Sequence, residues 1–314
     1  MGVGGEKAEI VLGSDTDYTV DMGALDGNVV KATIGGKVVS YAGGKVTLDF
    51  DFKNRLIKHG DQTLTVTVEK DGQYTNYNKK VLIVTKELQT YDDIKAAVTL
   101  NGRNVKYGYY RLTGSLGGTT WVNFGTTSVG EKPNNVDVWK NDDGEFGFRG
   151  TFDGNNLSIR ETFWNTGLFG YIGKGAVIKN ITFNMNQYSA GKMLFGYSMI
   201  GATVDNVKVN VTKQTNDGIT EIKANTLSGL LTCVFSYGNT FNKLVVDAQK
   251  TDIDTLFGSC AYYSYPAGYE ENKFTACTVK ANSLIGLACT NNADKTVTPY
   301  SGIEGLSVTV AVSA

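Results

Sequence analysis

The clearest indication of the fold comes from two hexapeptides: IKNITF at residues 178–183 and VDNVKV at residues 204–209. Each has apolar side chains at its first, fourth and sixth positions and an asparagine at its third. Residues of a strand alternate between two faces, so the shared pattern predicts that the two segments stack with Ile181 over Val207. Stacking in this register buries a continuous aliphatic column.

The same template occurs five times in the carboxy-terminal two-thirds of the chain. Each unit joins a Leu-Phe-Gly tripeptide or a relative to an alternating strand, and glycine suits the tight turns between sheets. The units lie at residues 167–183, 193–209, 229–246, 256–279 and 284–308. Their period is irregular, roughly 26 to 37 residues, which a solenoid tolerates because extra residues leave the stack as loops. The repeats therefore predict one coil per unit.

The first 86 residues have a different pattern, in which seven short runs of β-formers are separated by turn residues. The runs span residues 8–12, 18–21, 28–34, 37–41, 45–50, 62–69 and 77–85. Many short strands predict a β-sandwich domain at residues 1–86, with Gly35 and Gly36 forming a two-residue hairpin turn. The remaining domain, residues 87–314, begins with a helix at residues 90–98, capped by Thr90, that covers the first coil.

Composition excludes several function classes. The 30 Lys and Arg residues nearly cancel the 31 Asp and Glu residues, so no strong field attracts nucleic acid. No apolar run is long enough to insert into a membrane. The four cysteines have no Cys-x-x-Cys spacing, which argues against zinc and favours buried free thiols over disulfides. The sequence implies no cofactor.

Three segments carry a resemblance to a known family. They are GFRGTFDGNNLSI at residues 147–159, GLFGYI at residues 167–172 and AVIKNI at residues 176–181. With YYRLT at residues 109–113 and Trp121, these segments resemble the GLUG-type β-helical repeat region of bacterial surface proteins. The resemblance covers about residues 108–310 and fades after the second coil. It implies a right-handed parallel β-helix. The junction at residues 85–90 is similar to linkers that follow bacterial Ig-like domains.

The sequence contains few candidate catalytic residues. The single histidine, His59, is predicted at a solvent-facing hairpin tip, and no serine-hydrolase, phosphate-binding or zinc-protease motif is present. A β-helix polysaccharide enzyme needs converging carboxylates. The acidic candidates are Asp153, Asp205, Asp247, Asp252, Asp254 and Glu304. Asp153 is expected to stabilise a turn, and Asp205 has Lys179 and Asn242 at its equivalent positions, so we predict no catalytic residues and no enzyme.

Acidic turns at residues 15–17 and 141–145 match neither calcium-loop pattern, so no metal site is predicted. Aromatic residues are the remaining candidates for ligand or partner contact, because exposed rings stack on sugars or anchor protein contacts. They form two groups in the sequence: Trp121, Trp139 and Trp164, then Tyr262, Tyr263, Tyr265 and Tyr269. Their alternative role is to cover the coil edge.

Three functional hypotheses follow. The first is a non-catalytic structural or adhesive module on the bacterial cell surface, with an Ig-like spacer and a β-helix that presents loops to a host or glycan ligand. The second is a phage virion protein, such as a capsid decoration or a tail or fibre component, whose partners are other virion proteins; a start at Met1 without a signal peptide favours it. The third, a carbohydrate-active β-helix enzyme, has the least support.

Overall fold

The computed structural model describes residues 7–49, 58–94, 107–117, 148–160, 168–185, 194–211, 229–258, 271–291 and 296–311. The chain is all-β: its described residues form strands in two sheets and a short helical segment that includes residues 91–94. No helix within the described ranges is long and apolar enough to cross a membrane.

The first sheet has seven strands in the order β1-β7-β6-β3-β4-β5-β2. Their bounds are β1 Ala8–Val11, β2 Asp17–Thr19, β3 Asn28–Ile34, β4 Lys37–Ala42, β5 Lys45–Thr47, β6 Gly60–Lys70 and β7 Gln73–Val84. Strands β1 and β7 are parallel and the other pairs are antiparallel. The seven predicted strands are therefore confirmed, and the hairpin at Gly35 and Gly36 has the expected positive φ at both residues.

Strand β4 pairs with two different strands along its length. Its first half, residues 37–39, pairs with β3, whereas residues 40–42 pair with β5. Side chains from both parts meet in one hydrophobic cluster, where Val46 of β5 joins Leu64 and Val66 of β6 with no exposed surface. Alternation along β6 directs these apolar residues inward and its threonines outward, as the sequence predicts.

The second sheet has fourteen strands, most of them paired in parallel. Their bounds are β8 Lys86–Leu88, β9 Tyr109–Leu112, β10 Leu116–Gly117, β11 Thr151–Arg160, β12 Gly170–Ile172, β13 Val177–Met185, β14 Gly196–Ile200, β15 Thr203–Val211, β16 Gly229–Tyr237, β17 Thr240–Phe257, β18 Lys273–Thr275, β19 Cys277–Asn291, β20 Thr296–Thr298 and β21 Leu306–Val310. Strands β11, β13, β15 and β17 pair in succession, and so do β12, β14 and β16, so the two series alternate along the chain.

The parallel register is the one that the repeats predict, and Ile181 pairs with Val207. We call each repeat of this ladder a rung. Three columns of mainly buried apolar residues run through the rungs. One contains Phe152, Ile178, Val204, Phe241 and Phe274; the next Leu157, Ile181, Val207 and Leu244; the third Ile159, Phe183, Val209, Val246, Val279 and Val308.

A left-handed backbone position recurs once per rung, between the first and second columns. Asn180 and Asn206 have φ of 53° and 54°, and Lys243 and Ala276 in the following rungs have 52°. Asparagine tolerates this region better than other non-glycine residues. The two asparagines also hydrogen-bond to each other, with Asn206 Nδ2 donating to Asn180 Oδ1 over 3.0 Å. The repeated asparagine therefore marks a corner of the rung.

The predicted helix begins where the sequence places it. Thr90 Oγ1 accepts a hydrogen bond from the Asp93 amide, and Asp93 Oδ2 accepts one from the Thr90 amide, which is a reciprocal cap. Tyr91 and Ile94 pack in the same hydrophobic cluster as the rungs. These contacts pack the helical turn against the core of the rungs, and the Tyr91 hydroxyl donates a hydrogen bond to Arg160 O at the end of β11. The predicted continuation to residue 98 lies outside the described residues.

Candidate functional site: a ladder of alternating charges

A column of polar residues runs along the outside of the rungs. Its members are register partners on successive strands: Glu87, Arg111, Asp153, Lys179, Asp205 and Asn242. The sign of charge alternates along the first five. Each position precedes or lies near the rung corner, where the strand directs its side chain outward. We call this column the charge ladder.

Arg111 joins the charge ladder to the first sheet. Its two terminal nitrogens bind the carboxylate of Glu9 on β1 at 2.6 and 2.7 Å, and one of them also lies 2.5 Å from Glu87. The hydrogen bonds that Arg111 donates to Glu9 raise the pKa of Arg111; burial opposes this effect and Glu87 adds to it. A bidentate arginine pair fixes orientation as well as charge. This contact therefore fixes the orientation of β1 relative to the first rung.

Asp153 is the most heavily bonded member. Its carboxylate accepts hydrogen bonds from the Tyr109 hydroxyl at 2.5 Å and from the Asn155 amide at 3.0 Å, and lies 3.3 Å from Lys179 Nζ. Burial alone would raise the pKa of Asp153, but these bonds and the lysine charge outweigh it and lower the pKa. The bond to Asn155 is the turn-stabilising role predicted from sequence, and the other contacts tie neighbouring rungs together.

His59 corrects a sequence prediction. It is not at an exposed tip: only 6% of its surface is accessible, and its Nδ1 lies 2.7 Å from the hydroxyl of Thr85. That hydroxyl also accepts the Tyr109 amide over 2.7 Å. The histidine is buried because residues 58–60 pack against the segment that passes from β7 to β8, and a Cβ on Gly60 would lie 3.0 Å from the Tyr109 ring. It is therefore part of the junction between the sheets.

The two acidic residues Asp153 and Asp205 of the charge ladder lie on different rungs and have partners of their own. Asp153 and Asp205 are separated by the Lys179 rung, so a strand spacing of about 4.8 Å puts them roughly 10 Å apart. The general acid of a glycoside hydrolase needs a raised pKa, whereas that of Asp153 is lowered. Asp205 is also engaged, because it accepts a 2.6 Å hydrogen bond from Asn242. Both carboxylates thus have structural partners.

The other acidic candidates lie apart from this pair. Asp247 is the register partner of Asn210 and Lys280, and Asp252 accepts hydrogen bonds from Asn282 and Ser283. Glu304 lines a shallow surface depression with Glu271 and Phe274. Within the part of the chain that the structure describes, no three His, Cys, Asp or Glu side chains are grouped to hold a metal ion.

All of the aromatic contact candidates lie outside the described residues. These are Trp121, Trp139, Trp164, Tyr262, Tyr263, Tyr265 and Tyr269. They belong to three segments: residues 118–147 contain Trp121 and Trp139, residues 161–167 contain Trp164, and residues 259–270 contain the four tyrosines. Among the cysteines, Cys277 is buried and free as predicted, and the side chains of the other three are outside the description.

We did not predict from the sequence that Arg111, Glu87 and Glu9 belong to the charge ladder or contact it. Lys179 and Asp205 were recognised as occupying one slot in successive repeats, and the same slot in the preceding rungs contains Asp153 and Arg111. Extending the alignment backwards from residues 178–183 would have found the alternating charges.

No protein-family model, no curated protein and no solved structure matches this chain.

Reversing the central charge of the ladder tests whether it stabilises the stack. Lys179→Glu would place three acidic side chains on neighbouring rungs, so we expect the free energy of unfolding to fall by about 1–3 kcal/mol. Chemical denaturation measures this loss. Lys208→Glu is the matched control: it makes the same charge change one strand later, but its register partners are the uncharged Thr182 and Val245. We expect the control to change stability by about 0.5 kcal/mol or less, and equal losses in the two variants would contradict the role of the ladder.

The lowered pKa of Asp153 gives the stability a defined pH dependence. A carboxyl whose pKa is lower in the folded chain contributes stability above its ordinary value of about 3.9 and loses it as pH falls. We therefore expect the urea midpoint of the wild type to exceed that of Asp153→Asn at pH 7, and the difference to shrink between about pH 5 and pH 3. A difference that stays constant over this range would mean that the Asp153 charge is not the cause.

Proposed function

We propose that the chain is an Ig-like β-sandwich followed by a right-handed parallel β-helix, and that it serves as a non-catalytic structural and adhesive module of a bacterial surface protein. The change of pairing partner along β4, from β3 to β5, and the single hydrophobic cluster of the first sheet support the sandwich. The in-register parallel rungs support the helix, and parallel crossovers are right-handed in about 98% of cases. The sandwich then acts as a spacer and the rungs as a scaffold.

The observation that carries the non-catalytic part is the charge ladder. The outward column where a β-helix enzyme would need converging acids instead alternates in sign from Glu87 to Asp205. Its carboxylates accept bonds from neighbouring rungs and from Arg111 and Lys179, which stabilises the stack. Side chains committed to these contacts are not available to transfer protons to a substrate.

The adhesive part rests on the sequence. Residues 118–147 and 259–270 are inserted between strands of the rungs and contain six of the seven aromatic candidates. A rigid scaffold with variable segments is a common arrangement for binding proteins, because the segments can change without disturbing the core. We propose that these segments contact a host or glycan ligand.

Two experiments test this proposal: the first locates the protein in the producing cells, and the second measures its binding to candidate ligands. Antibody labelling of intact producing cells is expected to detect the protein at the cell surface; detection only in purified phage particles would instead support the virion hypothesis. The purified chain is then applied to an array of glycans and host matrix proteins. We expect Trp121→Ala with Trp139→Ala to lower affinity for a bound probe by about tenfold or more.

Tyr74→Ala is the control, because Tyr74 is an aromatic residue of the first sheet with 72% of its surface exposed. It is expected to bind as the wild type does. A polysaccharide-degradation screen on the same sample is expected to release no product. Product release, or binding that is unaffected by both Trp substitutions, would contradict the proposal.

A further inference from the structure

Strand β21 is the last strand of the stack that the structure describes, and one of its edges has no partner among the described strands. Among the described strands it pairs only with β19, through residues 306–310. Its inward residues Leu306, Val308 and Val310 pack against the core but are only partly buried. By contrast, Val279 in the rung before it has no exposed surface. The apolar side chains of β21 are therefore partly exposed on the side away from β19, where a further strand would cover them.

The backbone groups at this edge point outward in a defined order. The Cys277 amide donates to Gly305 O, and the Ala311 amide donates to Ala281 O. In a parallel pair the backbone groups of alternate residues face the same neighbour, so residues 305, 307, 309 and 311 bond to β19. The N–H and C=O groups of Leu306, Val308 and Val310 consequently face away from it.

The other end of the stack is covered. Leu88 and Ile94 have no exposed surface, and the capped helical turn at residues 91–94 packs against the core of the rungs. A second copy cannot therefore add its first rung to β21 in the parallel, head-to-tail manner. An isolated open edge would be protected by a lysine, a proline or a bulge. Residues 305–311, GLSVTVA, contain no charge and no proline.

We propose that β21 pairs in the antiparallel direction with β21 of a second copy. The twofold axis that relates the two copies lies between their Val308 residues. In this arrangement Val308 faces Val308 and forms a hydrogen-bonded pair with it, and Leu306 faces Val310 of the second copy. The outward residues Ser307 and Thr309 face each other across the axis. Every apolar residue meets an apolar residue and no like charges approach, so the strand is complementary to itself. The proposal does not depend on the proposed function.

Sedimentation velocity tests the proposal. Because one strand edge is smaller than the standard interface of about 800 Å² per partner, we expect a monomer–dimer equilibrium with a dissociation constant in the micromolar range. Val308→Pro removes the central edge N–H but no bond to β19, and Val308→Ala removes the side chain while keeping the N–H. The proline variant is expected to dissociate at about tenfold or more higher concentration than the alanine variant.

A second measurement covers the case in which Val308→Pro does not fold. In the proposed register residues 307 and 309 form non-hydrogen-bonded pairs between copies, where Cα atoms lie about 4.5 Å apart and a disulfide can form. Ser307→Cys with Thr309→Cys is expected to give a covalent dimer in which peptide mapping links residue 307 to residue 309. A wild type that stays monomeric at several hundred micromolar, equal dimerisation of the two Val308 variants, or a disulfide that joins other positions would each overturn the proposal.

Discussion

Gly196→Ala is expected to lower the free energy of unfolding by at least about 3 kcal/mol, or to prevent folding, although it adds one methyl group. The Cβ of this alanine would lie 2.2 Å from Gly170 O and 2.7 Å from Gly170 C. Gly170 is the register partner of Gly196 on the neighbouring rung. Both contacts are with backbone, so relief requires two rungs to separate.

This result would explain why the first two repeats begin with Leu-Phe-Gly. The glycine allows the backbones of successive rungs to approach where the strand turns, and any side chain would hold them apart. Gly13→Ala is the control, since a Cβ there meets no atom within 4 Å. We expect the control to change stability by about 0.5 kcal/mol or less. Circular dichroism during urea titration measures both variants, and equal stability would refute the close approach.

Phe241→Ala is expected to cost about 3–5 kcal/mol, because it leaves a cavity in the centre of the stack. Phe241 has no exposed surface and stacks on Phe274 with ring centroids 5.2 Å apart and an angle of 12° between the ring planes. A third ring, Phe257, lies 5.4 Å away. The substitution therefore removes burial and two aromatic contacts.

Val245→Ala on the same strand separates burial from strand position. Val245 points to the outer side of β17 and is half-buried, so its truncation is expected to cost about 1 kcal/mol or less. The urea midpoints of the two variants provide the comparison. If Val245→Ala were as damaging as Phe241→Ala, the assignment of inner and outer faces on β17 would be wrong.

The part of the fold that could be predicted from sequence is the part that repeats. Residues 178–183 and 204–209 have the same pattern, and a register error of one residue would turn every apolar side chain outward, so the pairing of Ile181 with Val207 was determined. Strand limits were less certain. Strand β7 begins at Gln73, not at residue 77, because pairing with β6 continues into a polar segment that has no apolar alternation.

The candidate site was predictable only in part. Lys179 and Asp205 lie in clear repeats, whereas Arg111 lies before a long insertion and its partner Glu9 lies in the other sheet. Contacts between such distant segments leave no periodic signal in one sequence. The burial of His59 is similar, since it depends on Thr85 and on the way residues 58–60 meet Tyr109.

Methyl NOE spectroscopy tests whether successive rungs stack in register. With Ile, Leu and Val methyl groups labelled, we expect strong cross-peaks from Ile181 to Val207 and from Val207 to Leu244, because register partners on neighbouring strands lie about 5 Å apart. Absence of both cross-peaks in the folded chain, or strong cross-peaks that pair these residues out of register, would show that the rungs do not stack in this way.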